Sequence, residues 1–224
     1  MGLKRLDHVA LWVADREAIA SFAEAHLGMH VIERTDRFTL IGSNARHGKL
    51  TLFEAEGPRE AGQLAAIGLR VSSLEAAMAA LPSARGPEVE VGEGLRIRLV
   101  EAPTEVEYDL DHVALWAADP AAAERRWREL GFRGAVSEAG ATRVEVAGAF
   151  LELRQGDPGV SERPLLNHVG VLVDSAEEWL TVAKAAGADI ADVVDAPNTY
   201  AVFVCGPEDV KLEYVQHKPG FALS

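Results

Sequence analysis

The heptapeptide LDHVALW stands at residues 6–12 and again at residues 110–116 of this 224-residue chain, 104 positions apart. A repeat of that period forces a fold built from duplicated units, and each half of the chain divides again into two. LDHVALWVAD reads as a half-buried strand. A helix follows, with Asp15 as N-cap, Ile19, Phe22, Ala23 and Leu27 on one face and Gly28 as its stop, and then the strand-like runs MHVIERT, RFTLIG and KLTLFEAE. The third unit repeats this order from LDHVALWAAD, with Asp119 as N-cap, Pro120 in the first turn, Gly131 as the stop, and the runs FRGAVSE, ATRVEVA and AFLELRQ. The fourth runs from NHVGVLVDS through a helix bearing Trp179, Val182 and Ala183 to ADIADVV, TYAVFVC and VKLEYVQ. The second, with AIGLRVSS, a short helix, EVEVG and LRIRLVEA, has one strand fewer.

The order β-α-β-β-β, met four times, predicts an α+β fold of four βαβββ-type modules paired into two half-barrel domains. The acidic, proline-containing PTEVEYD (103–109) marks the joint, so the expected domains are 1–105 and 106–224. Pairing one with two and three with four follows from that division. The other pairing, one with four and two with three, would bring His8 beside His168.

Composition narrows the partners. With 22 basic against 35 acidic residues the net charge is −13, which repels nucleic-acid backbones and anionic membranes. A single cysteine, Cys205, rules out an internal disulfide and multi-cysteine zinc sites. No apolar run is long enough to span a membrane. These features predict a soluble cytoplasmic protein acting on a small molecule, with a homo-oligomer left open.

Alignment of the units places His8, Ala66, His112 and His168 at one position of the first strand. Arg98, Glu152 and Glu213 share a position in the last strand, where the first unit offers either Leu52 or Glu54. A lone strand histidine is usually a hydrogen-bonded structural residue. Imidazoles and carboxylates at repeat-equivalent places of a concave sheet instead suit a divalent first-row metal with open positions, and a 2-His-1-carboxylate face suits Fe(II). Trp116 is the candidate pocket wall, and Arg154 and Lys211 share strand faces with Glu152 and Glu213, where they would hold an anionic substrate. His26, His30, His47 and His217 match no motif position and are expected at the surface.

DHVALWV, NHVGVLV and GPEDVKLEYV (206–215) resemble the opening and closing strands of the vicinal oxygen chelate superfamily of glyoxalases, extradiol dioxygenases, epimerases and bleomycin-resistance proteins. That resemblance covers nearly the whole chain. It implies paired modules forming a half-open barrel around a metal that activates neighbouring substrate oxygens. Four modules in one chain is similar to the extradiol dioxygenases, whose iron ligands would fall on His112, His168 and Glu213, with a small catechol-like substrate. The acid/base histidine of those enzymes corresponds to Glu152, and their further His and Tyr to the Val194/Asp195 region and Phe203. The glyoxalase and epimerase branch implies instead a His2Glu2 set, His112, Glu152, His168 and Glu213, holding nickel, cobalt, zinc or manganese, with Glu152 as ligand or base. A metal-free binding protein of the bleomycin-resistance type is the third alternative. On each metal-dependent reading His112 works, and His8, facing Ala66 and Arg98, is a relic.

Overall fold

The computed structural model describes residues 2–82, 86–135, 141–159 and 161–221. The first module comprises β1 (Arg5–Val13), α1 (Arg16–His26), β2 (His30–Arg34), β3 (Phe38–Gly42) and β4 (Lys49–Glu54). The second has β5 (Leu64–Val71), α2 (Leu74–Ala80), β6 (Glu88–Gly92) and β7 (Leu95–Glu101), one strand fewer than the first among the described residues, as expected. The third has β8 (Tyr108–Ala117), α3 (Pro120–Glu129), β9 (Arg133–Ala135), β10 (Thr142–Val146) and β11 (Ala149–Gln155). The fourth has β12 (Leu166–Leu172), α4 (Ala176–Ala185), β13 (Ile190–Asp195), β14 (Thr199–Cys205) and β15 (Lys211–His217). Residues 136–138 of the expected strand FRGAVSE lie outside the described residues.

Each helix starts the same way, because a side-chain oxygen satisfies one of the backbone N–H groups that a helix leaves unpaired at its first turn. Asp15 accepts from Ala18 N, Ser73 from Ala76 N, Asp119 from Ala122 N and Ser175 from Glu178 N. In every module the first strand runs parallel to the last, since the helix carries the chain back across the sheet. The helix-side residues Val9, Leu11 and Val13 of β1 are fully buried, as are Val113 of β8 and Val169 and Val171 of β12. One continuous hydrophobic core takes in all four helices.

The module pairing differs from the expected one. One sheet has the order β13-β14-β15-β12-β1-β4-β3-β2, joining modules four and one; the other, β6-β7-β5-β8-β11-β10-β9, joins two and three. Segments 1–105 and 106–224 are therefore not separate paired-module domains, since each sheet draws one module from each half. The physical reason lies on the helix side of the sheets, where consecutive modules meet. The Glu93 carboxylate in the β6–β7 turn accepts hydrogen bonds from Ala14 N and Asp15 N at the start of α1. Glu208, in the turn before β15, accepts one from Ala118 N ahead of α3. Tyr214 of β15 donates its hydroxyl to Leu130 O at the end of α3, and its ring stacks on Trp179 of α4. Modules one and two, and three and four, are thus joined through helix starts and turns. Their first-strand edges are left to pair across the halves, β1 with β12 and β5 with β8.

Candidate metal centre

The antiparallel register of β1 and β12 sets His8 opposite Gly170 and His168 opposite Ala10. Both imidazoles rise from the concave face over small residues. A Cβ added at Gly170 would lie 2.4 Å from His8 Cε1, so the ring needs a glycine beneath it. Glu213 on β15 is in register with Gly170 and reaches the same point. His8 Nε2 and His168 Nε2 are 2.9 Å apart, and each lies 2.9 Å from Glu213 Oε2. These three are the residues whose donor atoms cluster closely enough to hold an ion among the described residues.

The opposite edges of the rings are already committed. His8 Nδ1 is 3.0 Å from Asp7 Oδ2, which also accepts from Lys49 Nζ at 2.7 Å, and His168 Nδ1 is 3.0 Å from Asn167 Oδ1. With each Nδ1–H donated to an oxygen, neutral rings present their Nε2 lone pairs to the common point, the arrangement that metal-binding histidines adopt. The spacing fits a metal as well. Three mutually cis donors roughly 2.1 Å from one ion stand about 3.0 Å apart, against about 3.4 Å for tetrahedral neighbours. The observed 2.9 Å edges match the cis face.

Electrostatics agree with a cation site. Burial opposes ionisation of Glu213, but His8 and His168 outweigh it and hold the carboxyl far below the usual range. Burial likewise opposes the charge on His8, yet Glu213 and Asp7 lift its pKa to about 9. Burial pushes His168 down, aided by the neighbouring charge on His8 and opposed by Glu213. Without a metal, a proton on His8 balances the Glu213 charge.

The triad opens into a cavity of about 450 Å³ walled in part by Phe38, Phe53, Phe203 and Phe221. The rings of Phe203 and Phe53 lie 5.1 Å and 6.4 Å from that of His168. Val194, in the region matched to the second histidine of the extradiol pattern, also lines it. His217, expected at the surface, is a cavity residue stacked on Phe221 at 3.8 Å, with Nε2 3.6 Å from Asp7 Oδ1. Strand parity held the signal for it, since His217 is four residues beyond Glu213 on the same face of β15.

Burial, with Lys49, Arg5 and His8 adding to it against the pull of Asp7, lowers the His217 pKa to about 4. The unfolded chain therefore takes up this proton more readily than the native one, so stability is lost as pH falls from about 6.5 through about 4. Replacing His217 by Gln is expected to flatten the acid limb in that window, read by urea denaturation at stepped pH. Parallel wild-type and variant curves would contradict the assignment.

The expected ligand His112 is not brought to His168 and Glu213. It lies on β8 in the other sheet, opposite Gly68 of β5 and beside Phe150, whose ring stacks on it at 4.9 Å. His8 takes the predicted place because the modules pair one with four. Ala114 is in register with Glu152 and Gly68 with Arg98, so His112, Glu152, Ala66 and Arg98 share the concave face of that second sheet. Glu152 accepts from Arg154 Nε at 2.5 Å, and burial of its carboxyl is outweighed by Arg154, His112 and Arg98, which lower its pKa. His112 Nδ1 is 2.8 Å from Asp111, while its buried Nε2 has no hydrogen-bond partner among the described residues. Trp116 is in register with Arg154 on this second face, away from the triad. Lys211 lines a small cleft with Gln63 and Glu208. In the first module the last-strand position is neither Leu52, which is buried in the core, nor Glu54, which pairs with Arg16 at 2.9 Å. Ala10 is in register with Thr51, so Thr51 is the counterpart of Glu213.

Residues 5–97 match the family model described as Glyoxalase/Bleomycin resistance protein/Dioxygenase superfamily. No curated protein matches the sequence. Among solved structures, a "putative dioxygenase" from Bacillus subtilis subsp. subtilis str. 168 aligns with a TM-score of 0.74 at 16% identity, covering 99% of this chain and 87% of that one. Glyoxalase I from Zea mays aligns with a TM-score of 0.74 at 15% identity over 95% of this chain and 92% of that one. A single-residue mutant of that glyoxalase I gives 0.77 at 15% identity over 95% and 93%. Residues 5–97 thus resemble the glyoxalase/bleomycin resistance protein/dioxygenase superfamily in sequence, and over nearly its whole length the chain shares the fold of these solved structures.

Proposed function

We propose that the protein is an Fe(II)-dependent, extradiol-type ring-cleaving dioxygenase acting on a small catechol-like substrate. The observation that carries this reading is the triangle of two imidazole nitrogens and one carboxylate oxygen with 2.9 Å edges, the donor set and spacing of a non-haem Fe(II) face. Bound there, iron would supply the redox chemistry that insertion of dioxygen requires. The chain supplies the rest. Phenylalanine rings flank the cavity and would hold a flat aromatic ring by edge and face contacts. Such a substrate must also lose hydroxyl protons. His217, which lines the cavity and is neutral at physiological pH, would accept a hydrogen bond from such a hydroxyl at a ring nitrogen, while its low pKa leaves the proton itself to pass to solvent.

The test is oxygen uptake by protein loaded anaerobically with Fe(II), with a panel of catechols. Catechol-dependent uptake at one oxygen per ring cleaved supports the proposal. Stoichiometric iron without uptake sinks it. The likeness of fold to glyoxalase I favours a second reading, an isomerase or lyase using nickel, cobalt or zinc at the same triad. Turnover of a 2-oxoaldehyde thiol adduct without oxygen uptake would select it.

A further inference from the structure

A separate cavity, of about 510 Å³, opens where the two sheets meet, and it shares no lining residue with that of the triad. Modules one, two and three all contribute: Lys4 and Arg5 at the start of β1, His47 in the turn before β4, Arg70 on β5 and Asp109 on β8. Three permanent cations thus line one cavity of a chain whose net charge is −13. The two acidic groups beside them do not cancel that charge. Asp109 has both oxygens engaged, Oδ2 with His47 Nδ1 at 3.0 Å and Oδ1 with the backbone N–H groups of Gly48 and Leu110, each at 2.9 Å. Glu105, in the segment between β7 and β8, is exposed to water.

Arg5 is the group that the described residues leave unsatisfied. Its side chain is only 25% exposed, its Nη2 stops 3.8 Å from Asp7 Oδ1, and its buried Nε has no hydrogen-bond partner among the described residues. Asp7 is already taken by Lys49 at 2.7 Å and His8 at 3.0 Å. A guanidinium carries five N–H donors, and holding one mostly out of water without an acceptor costs free energy that a ligand oxygen would recover. Arg70 is held firmly instead. It donates from Nε and Nη2 to Asp111 Oδ1 and from Nη2 to Gly148 O, which fixes its plane and leaves Nη1 for a ligand.

We propose that this cavity binds a small organic oxyanion, a carboxylate or a phosphate ester, whose charged group is held by Arg5 and Arg70. The planar fork of a guanidinium matches two oxygens of either group. A volume of about 510 Å³ exceeds what an inorganic anion fills and lies in the range of small-molecule sites, and Leu6, Leu110 and Ala149 give the apolar part of the ligand a wall. Because Arg5 belongs to one sheet and Arg70 to the other, the bound oxyanion bridges the two. No residue of the triad lines this cavity, so its occupancy is independent of the reaction there.

The test is a titration of the 15N-labelled full chain, stripped with chelator, with sodium benzoate and separately with inorganic phosphate at constant ionic strength. Saturable shifts of the backbone amides of Arg70, Thr104 and Ala147, which line the cavity, are expected with one probe or both. Benzoate alone assigns the site to carboxylates, and phosphate alone to phosphate esters. Arg5→Gln is expected to weaken binding by about tenfold or more, through loss of a charge-assisted pair. Lys211→Gln, which removes a cation from a different surface, is expected to change affinity by less than about twofold. Absence of saturation by either probe up to roughly 10 mM would overturn the proposal. So would unchanged affinity in a folded Arg5→Gln protein, or shifts confined to the residues around His217. If Arg5→Gln does not fold, Arg5→Lys keeps the charge and loses the fork; a loss of about threefold or more is expected, and unchanged affinity there overturns the proposal equally.

Discussion

Replacing His8 by Ala is expected to lower the affinity for a divalent metal by more than about a hundredfold and to abolish metal-dependent turnover. Loss of an outer hydrogen-bond partner alone commonly costs roughly 10–100-fold, and His8 supplies one of three inner donors. The remaining pair, His168 and Glu213, leaves two contacts where three are needed to hold an ion against water. His112→Ala is expected to leave metal content unchanged, because its ring belongs to the other sheet and faces Gly68 and Phe150. Metal analysis of both purified variants, with Zn2+ titration after chelation, decides the matter. Metal lost in His112→Ala and retained in His8→Ala would show that the module pairing is not the one described.

Lys49→Met is expected to destabilise the fold by about 3 kcal/mol, near the lower end of the range for breaking a buried ion pair. Lys49 and Asp7 are 3% and 2% exposed, and their 2.7 Å contact is the shortest that Asp7 makes. Burial opposes ionisation of Asp7, but Lys49 and His8 prevail and hold its carboxyl far below the ordinary carboxylate range. Without Lys49 the carboxylate keeps His8 at 3.0 Å, with Arg5 at 3.8 Å and His217 at 3.6 Å too distant for good hydrogen bonds. That partial compensation sets the expectation low in the range. Asp7→Asn combined with Lys49→Met should recover most of the loss, since neither charge is then buried alone. Urea denaturation of the singles and the double completes the cycle. A loss below about 1 kcal/mol in Lys49→Met would mean that the remaining cations already satisfy Asp7.

The period of the repeat and the alternation within its strands make the elements legible. The caps Asp15 and Asp119, the missing strand of the second module and the concave-face placement of His8, His168 and Glu213 follow from local pattern, because capping and strand parity depend on neighbours a few residues away. The place of His217 is readable by the same parity, yet it lies outside the repeated positions that mark the other candidates. The ambiguity between Leu52 and Glu54 cannot be settled in this way. Spacing along β4 does not reveal which residue stands beside Ala10, and the register gives Thr51.

Module pairing is the decision that local pattern cannot make. LDHVALW at 6–12 and at 110–116 are identical, so β1 and β8 present the same edge chemistry, and either is a competent partner for another first strand. The choice rests on contacts between residues far apart in sequence: Glu93 at the start of α1, Glu208 ahead of α3, and Tyr214 against Leu130. Those contacts join consecutive modules on the helix side and leave β1 to meet β12. By itself the sequence determined four βαβββ-type units, the residue types able to bind a metal and the face that carries them. Tertiary structure decided that His8 rather than His112 completes the triad, because identical strands carry no information about their partner.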